Sequence, residues 1–179
     1  MSADRYSRSA RVLHWSSAAL FLLLLGSGVA MQQMDPGSPR LTGYRVHALM
    51  GILAGLLTLV RIGRSFTADS PDKLPMRTLH ALAFRAVHVG MLFASLVLVG
   101  SGIATLVGGP LLDLVTGDVS PTAFPDLLSQ PPRIAHRIAA ISFGVLLVGH
   151  VGGVLRYQFT EGDTLGRMGV RIPKNRTQP

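Results

Sequence analysis

The sequence lacks cysteine altogether and contains little negative charge. Without cysteine, the chain cannot form disulfides, thiolate metal sites, iron–sulfur clusters or covalent c-type haem attachments. The strong ligands that remain are histidine and carboxylate. The chain has 6 histidines, and aspartate and glutamate together number 9. None of those acidic residues falls in the long apolar stretches of the chain. Histidine is therefore the main strong ligand within these stretches.

Charge of either sign is scarce for a chain of this length. Charged residues make up 15% of the 179 residues and hydrophobic residues 48%, and the mean hydropathy is +0.41, which is too apolar for an ordinary soluble domain. A hydrocarbon core of roughly 30 Å requires about 20 apolar residues per helix. Four stretches approach that length: 12–31, 44–60, 84–107 and 134–155. The sequence predicts an all-α membrane protein, with a single domain over residues 1–179 and four transmembrane helices in a bundle.

The basic residues predict the orientation of the bundle. Thirteen of the 17 lysines and arginines lie in the two terminal segments or near the connection between the second and third stretches. The other four, Arg40, Arg45, Arg133 and Arg137, lie at the opposite ends of the helices. By the positive-inside rule, both termini are expected in the cytoplasm. Topology and contact with anionic lipid then explain the net charge of +8, and nucleic-acid binding is not expected.

The histidines fall into groups when they are ordered by depth. His47 and His136 open the second and fourth stretches at the outer side, whereas His14, His88 and His150 lie toward the cytoplasmic side, and His80 falls in a polar connection. His136 and His150 are 14 residues apart, which is about 40° short of four full turns and a rise of about 21 Å. They therefore share a helix face at two depths. Because intramembrane ionisable residues are costly, this arrangement predicts two stacked functional sites.

Haem fits this set of ligands better than the alternatives do. A proton relay usually includes acidic residues, and a zinc site requires three or four converging ligands. A haem iron needs only two axial ligands in an apolar pocket. The outer histidines form one such pair, and the three cytoplasmic histidines provide a second pair with one left over. Two bis-histidine b haems are therefore expected, with the second pair left open among His14, His88 and His150.

A short internal repeat supports this arrangement. The first helix reads "HWSSAALFLLLLGSG" and the third reads "HVGMLFASLVLVGSG", so in each a histidine is followed twelve residues later by Gly-Ser-Gly. The second and fourth helices each begin with an outer histidine, and Arg61 occupies the position that corresponds to His150. The pattern indicates a duplicated helix pair, in which the second helix serves one haem and the fourth helix serves both.

The chain resembles the bacterial four-helix, di-haem cytochrome b561 family. The resemblance extends from "RYSRSARVLHW" through "YRVHALMGILAGLLTLVRIGR" and "AVHVGMLFASLVLVGSG" to "HRIAAISFGVLLVGH". It implies that His47 and His136 hold the outer haem, and that His14 and His150 hold the cytoplasmic haem. His88 would then be an alternative ligand, or a contact of a haem propionate or a quinone. The expected location is the bacterial inner membrane.

The arginines near the two haem levels are candidate contacts. Arg61 and Arg156 are expected to approach haem propionates, since guanidinium groups pair well with carboxylates. Arg45, Arg133 and Arg137 form an outer cluster that could steer a small anion toward an exposed haem edge.

The resemblance implies quinone-linked electron transfer, with ubiquinone as the exchangeable substrate and superoxide as one candidate donor at the outer face. Bis-histidine ligation leaves no open iron position, so oxygen chemistry at the iron is not expected. Two alternatives stay open. One is a membrane anchor subunit that passes electrons for a larger dehydrogenase, a hydrogenase or another redox partner protein, and the other is a haem-free bundle that binds metal or transports an ion. The long outer loop from Gly108 to Arg133 is expected either to lie along the membrane surface or to cover the outer haem.

Overall fold

The computed structural model describes residues 5–67, 74–108, 111–117 and 130–170 of the chain. These residues form four long helices, α1 (Arg8–Gln32), α2 (Ser38–Ser65), α3 (Thr78–Val107) and α5 (Pro131–Thr160). Two short helices, α4 (Leu111–Thr116) and α6 (Thr164–Arg167), follow α3 and α5. No strand occurs in the described part of the chain. All four long helices are long and apolar enough to cross a membrane, which confirms the predicted fold class.

The observed helices are longer than the apolar runs that predicted them. Each predicted stretch lies inside one helix, and each helix continues by a few residues or more beyond the run at one or both ends. Prolines in the first turn of α2 and α5 are compatible with helix starts, because the first turn has no intrahelical partner for its N–H groups. Because α3 begins before its apolar run, His80 lies in the first turn of this helix and not in a connection as predicted.

The bundle has a loop end and a terminus end. The loop end is where α1 runs into α2 and where α4 lies, and the terminus end is where α1 begins and α5 finishes. Between these ends, α3 packs most extensively against α5, α1 packs against α2, and α2 packs against α3. A Cβ on Gly55 of α2 would lie 2.9 Å from Val99 Cγ1 of α3, so a larger residue at this position would force Val99 or one of the two helices to shift.

The buried core is small and lies at the centre of the bundle. Phe21 of α1 stacks on Phe143 of α5 with ring centroids 4.8 Å apart, and Ala54, Ala94 and Ala139 pack around them. Many larger apolar side chains point outward instead; Val148, for example, is 74% exposed. An apolar exterior around a small core is typical of a protein surrounded by lipid, where helices pack through small residues.

Helix α4 packs against the loop end of the bundle. Leu111 is buried against Leu41 of α2, with Tyr44 and Val115 packed around them. Arg45 Nε donates a hydrogen bond of 2.8 Å to the Val115 carbonyl, which attaches the short helix to α2. Helix α4 of the long connection therefore covers the bundle, while residues 109–110 and 118–129 of that connection lie outside the described part.

Candidate functional site

Two histidine pairs lie at opposite ends of the bundle. At the loop end, the ring centroids of His47 on α2 and His136 on α5 are 6.2 Å apart, with an interplanar angle of 70°. At the terminus end, the ring centroids of His14 on α1 and His150 on α5 are 6.3 Å apart, with an interplanar angle of 55°. Helix α5 thus contributes one histidine to each pair.

The separation within each pair matches the spacing of two imidazoles that share one metal ion. A metal–imidazole bond is about 2.0–2.1 Å long, so two rings on opposite sides of one ion have centres roughly 6 to 6.5 Å apart. Both observed separations fall in this range. In the described part of the chain, no group of three or more histidine or acidic side chains could hold a metal ion. Each pair offers the two histidines that a haem iron needs as ligands.

The third histidine at the terminus end has a different geometry. The ring of His88 lies only 4.9 Å from that of His150, nearly perpendicular to it. Its Nδ1 is 2.7 Å from the Phe84 carbonyl, so this nitrogen carries the proton and donates to the backbone. The structure brings His88 into contact with His150, but their ring separation is too short for the two rings to lie on opposite sides of one ion.

A cavity of about 480 Å³ surrounds the histidine pair at the loop end. Leu111 and Val115 of α4 contribute to its wall, and most of the lining is apolar. Arg133 and Arg137 are the charged residues that line it. Apolar cavities with a few polar groups are typical of cofactor sites.

Two serines contact the loop-end histidines in the same way. Ser27 Oγ of α1 lies 2.9 Å from His47 Nδ1, and Ser101 Oγ of α3 lies 3.2 Å from His136 Nδ1. Both serines are the middle residue of the repeated Gly-Ser-Gly, and the glycine after each one faces the same imidazole. A Cβ would lie 3.7 Å from His47 Cε1 at Gly28 and 3.4 Å from His136 Cε1 at Gly102.

Sequence reasoning identified the repeat but not the role of its serines. It assigned no contact to the serines. The signal that could have identified them was the repeat itself, because a duplicated polar residue inside two apolar helices needs a hydrogen-bond partner.

Each histidine pair also has one nearby arginine. Arg61 of α2 lies close enough to interact electrostatically with His14 and His150, and Arg133 of α5 does so with His47 and His136.

The other two arginines named from the sequence have hydrogen bonds within the protein. Arg45 donates to the backbone of α4, as described above, and Arg156 Nη1 donates to His80 Nε2 at 3.3 Å. The structure thus places Arg61, Arg133 and Arg137 at the histidine pairs or the cavity, and it places Arg156 beside His80.

Comparison with known proteins identified a matching family. The family model described as prokaryotic cytochrome b561 matches residues 5–169 of the 179. No curated protein and no solved structure matched the chain. The matched region includes all four long helices and both histidine pairs.

Proposed function

Because the chain belongs to the prokaryotic cytochrome b561 family, a family of membrane electron-transfer proteins that use haem b, we propose that it carries electrons across the membrane through two b haems. The observation that carries this proposal is the presence of two histidine pairs with nearly equal ring separations, one at each end of the bundle. A haem-free bundle that transports an ion is less consistent with the family and with the pairwise arrangement of the histidines.

In this proposal, His47 and His136 hold the loop-end haem, and His14 and His150 hold the terminus-end haem. When bound, each haem iron exchanges one electron between its ferric and ferrous forms. If both imidazoles of a pair bind the iron, the chain would leave no position on the metal for oxygen. The His88 ring lies closer to the His150 ring than the two rings of either pair lie to each other, which fits a supporting role better than ligation.

The proposed direction of transfer follows from topology. The excess of basic residues at the terminus end favours a cytoplasmic position for that end, which would put the loop-end haem at the outer side of the bacterial inner membrane. The two histidines of α5 are separated by a rise of about 21 Å, which is most of the hydrocarbon thickness. Stepwise transfer between two haems would therefore carry an electron across the membrane.

The proposed activity is that of a quinone-linked oxidoreductase, with ubiquinone as the membrane partner. The open loop-end cavity with Arg133 and Arg137 in its wall favours a small anionic donor at the outer side, and superoxide is the one we propose. Each superoxide would give up one electron and leave as dioxygen, and two such electrons with two protons would reduce ubiquinone to ubiquinol.

A pyridine haemochrome assay on detergent-purified protein tests the haem assignment. We expect two haems b per chain, and we expect one to be lost in His47→Ala and one in His150→Ala. His14→Ala combined with His150→Ala should lose no more than His150→Ala alone, because both residues serve the same haem.

Two further variants act as controls. His80→Ala should retain both haems, since this residue contacts Arg156 and neither histidine pair. His88→Ala should also retain both, and the loss of one haem there would assign His88 as a ligand. Folded protein with no haem would contradict the proposed function.

A further inference from the structure

We propose that Ser27 and Ser101 are positioning residues that fix the protonation and ring orientation of His47 and His136 for the loop-end haem. The inference rests on the proposed function, because it assigns these imidazoles to a haem. It goes beyond that function by identifying two hydroxyl groups that would tune the haem without touching its iron.

The hydrogen bonds around Ser27 support a proton on Nδ1 of His47. Ser27 Oγ lies 3.1 Å from the Leu24 carbonyl oxygen, to which it can donate its only proton. The serine oxygen then accepts from His47 Nδ1, which is 2.9 Å away. His47 Nδ1 must then carry the proton, which leaves the Nε2 lone pair free to bind a metal.

The same logic applies to His136, with one additional acceptor. The Ser101 hydroxyl donates to the Val97 carbonyl, so its oxygen accepts from His136 Nδ1 at 3.2 Å. The Leu98 carbonyl lies 3.0 Å from the same Nδ1 and also accepts from it. His136 is therefore held by two acceptors, whereas Ser27 is the one hydrogen-bond partner of His47 among the described residues.

The terminus-end pair provides an internal comparison. No serine or threonine hydroxyl within the described residues hydrogen-bonds to His14 or His150. The positioning device thus belongs to one haem of the proposed two, and changes in the serines should affect only that haem.

Loss of a serine acceptor should change the midpoint potential of the loop-end haem in one direction. An Nδ1–H group that donates to an oxygen gives the imidazole more anionic character, which strengthens its bond to the metal and stabilises the ferric form. Removing the acceptor should therefore raise the midpoint potential of the loop-end haem and weaken haem binding by about tenfold or more. Ser27→Ala should have the larger effect, because in Ser101→Ala the Leu98 carbonyl still accepts from His136.

The test is a redox titration of the purified, haem-loaded full chain, combined with haem stoichiometry and low-temperature EPR of the ferric haems. His150→Ala retains the loop-end haem and so identifies its component in the titration. Ser17→Ala and Ser95→Ala are matched controls, since these buried serines on α1 and α3 donate only to backbone carbonyls, at 2.7 Å in each case. Ser27→Thr keeps the hydroxyl and should behave like the native chain.

Support for the proposal would be an upward shift of the loop-end potential and a changed EPR signal in Ser27→Ala, with the terminus-end haem unchanged. Equal shifts in Ser27→Ala and the control Ser17→Ala would overturn it, as would no shift in either Ser27→Ala or Ser101→Ala. If the native chain binds no haem, the proposed function fails first, and haem stoichiometry separates that outcome from failure of the serine assignment.

Discussion

At the residue scale, Gly102 shows how closely the backbone of α3 approaches the proposed ligand His136. A Cβ at this position would lie 3.4 Å from Cε1 and 3.5 Å from Nδ1 of the imidazole. Contacts this short leave room for a small adjustment but not for a branched side chain. The ring of His136 is already held by hydrogen bonds to Leu98 and Ser101, so it cannot move away without breaking them.

Gly102→Val should therefore displace His136 and reduce occupancy of the loop-end haem by more than half. The matched control is Gly100→Val on the same helix, where an added Cβ meets nothing within 4 Å. Haem per chain, measured by the pyridine haemochrome assay, compares the two variants directly. Equal haem retention in both would show that the close approach of Gly102 is not required.

Individual residues also show where sequence reasoning was sufficient and where it was not. The five histidines of the spans could be grouped by depth, because helical rise converts sequence position into depth. The partner of Ser27 could not be found in that way, because a hydrogen bond between α1 and α2 depends on how the two helices are rotated about their axes. The resemblance to a known family supplied the preference for His14 over His88, and the ligand assignment stays a proposal.

At the scale of elements, α2 and α5 differ in a way that the repeat predicted. Both carry a histidine at the loop end, but fourteen residues later α2 has Arg61 and α5 has His150. In the structure, Arg61 lies near the His14 and His150 pair without belonging to it.

The four helices could be predicted because each apolar run is long and uninterrupted. Their ends could not, because a helix continues through polar residues into the interfacial region until a capping or turn signal ends it.

Helix α4 is the element that the sequence left undecided, and its packing leads to a prediction. Leu111 is only 6% exposed and contributes to the cavity wall, so Leu111→Ala should loosen the cover over the loop-end haem. Truncating a buried leucine typically costs about 2–5 kcal/mol, here taken mainly from the docking of α4. We expect release of one of the two haems to excess apomyoglobin to accelerate at least tenfold.

Leu112→Ala is the neighbouring control for this measurement, since Leu112 is 38% exposed and lies outside the cavity wall. The two haems should separate as two kinetic phases, of which only one responds to Leu111→Ala. An unchanged release rate for both haems would mean that α4 does not retain the cofactor.

At the scale of the whole molecule, charge is distributed unevenly along the bundle axis. Most of the basic residues lie at the terminus end, which is the distribution that the positive-inside rule expects of a cytoplasmic end. The four basic residues at the loop end have no such role under the positive-inside rule, and Arg133 and Arg137 line the cavity there. Their position is the one from which positive charge would attract a small anion toward the proposed outer haem.

This arrangement predicts how the rate of superoxide oxidation depends on salt. Electrostatic steering raises association rates by about 10- to 1,000-fold at low ionic strength, and the gain falls as salt screens the charges. Haem reduction by superoxide, followed after pulse radiolysis in the presence of ubiquinone, should therefore slow as sodium chloride rises. Arg137→Gln should lower the rate severalfold at low salt and flatten this dependence, because Arg137 is exposed and lines the cavity.

Arg85→Gln is the matched control for this experiment, since Arg85 is also an exposed arginine and lies in the terminus-end half of α3. It removes the same net charge as Arg137→Gln, so a difference between the two variants would report the location of the charge rather than its amount. A rate that ignores salt, or that falls equally in both variants, would exclude local steering at the loop end. The proposed donor would then have to be a neutral molecule or a docked redox protein, and the function of the two haems as a transmembrane path would be unaffected.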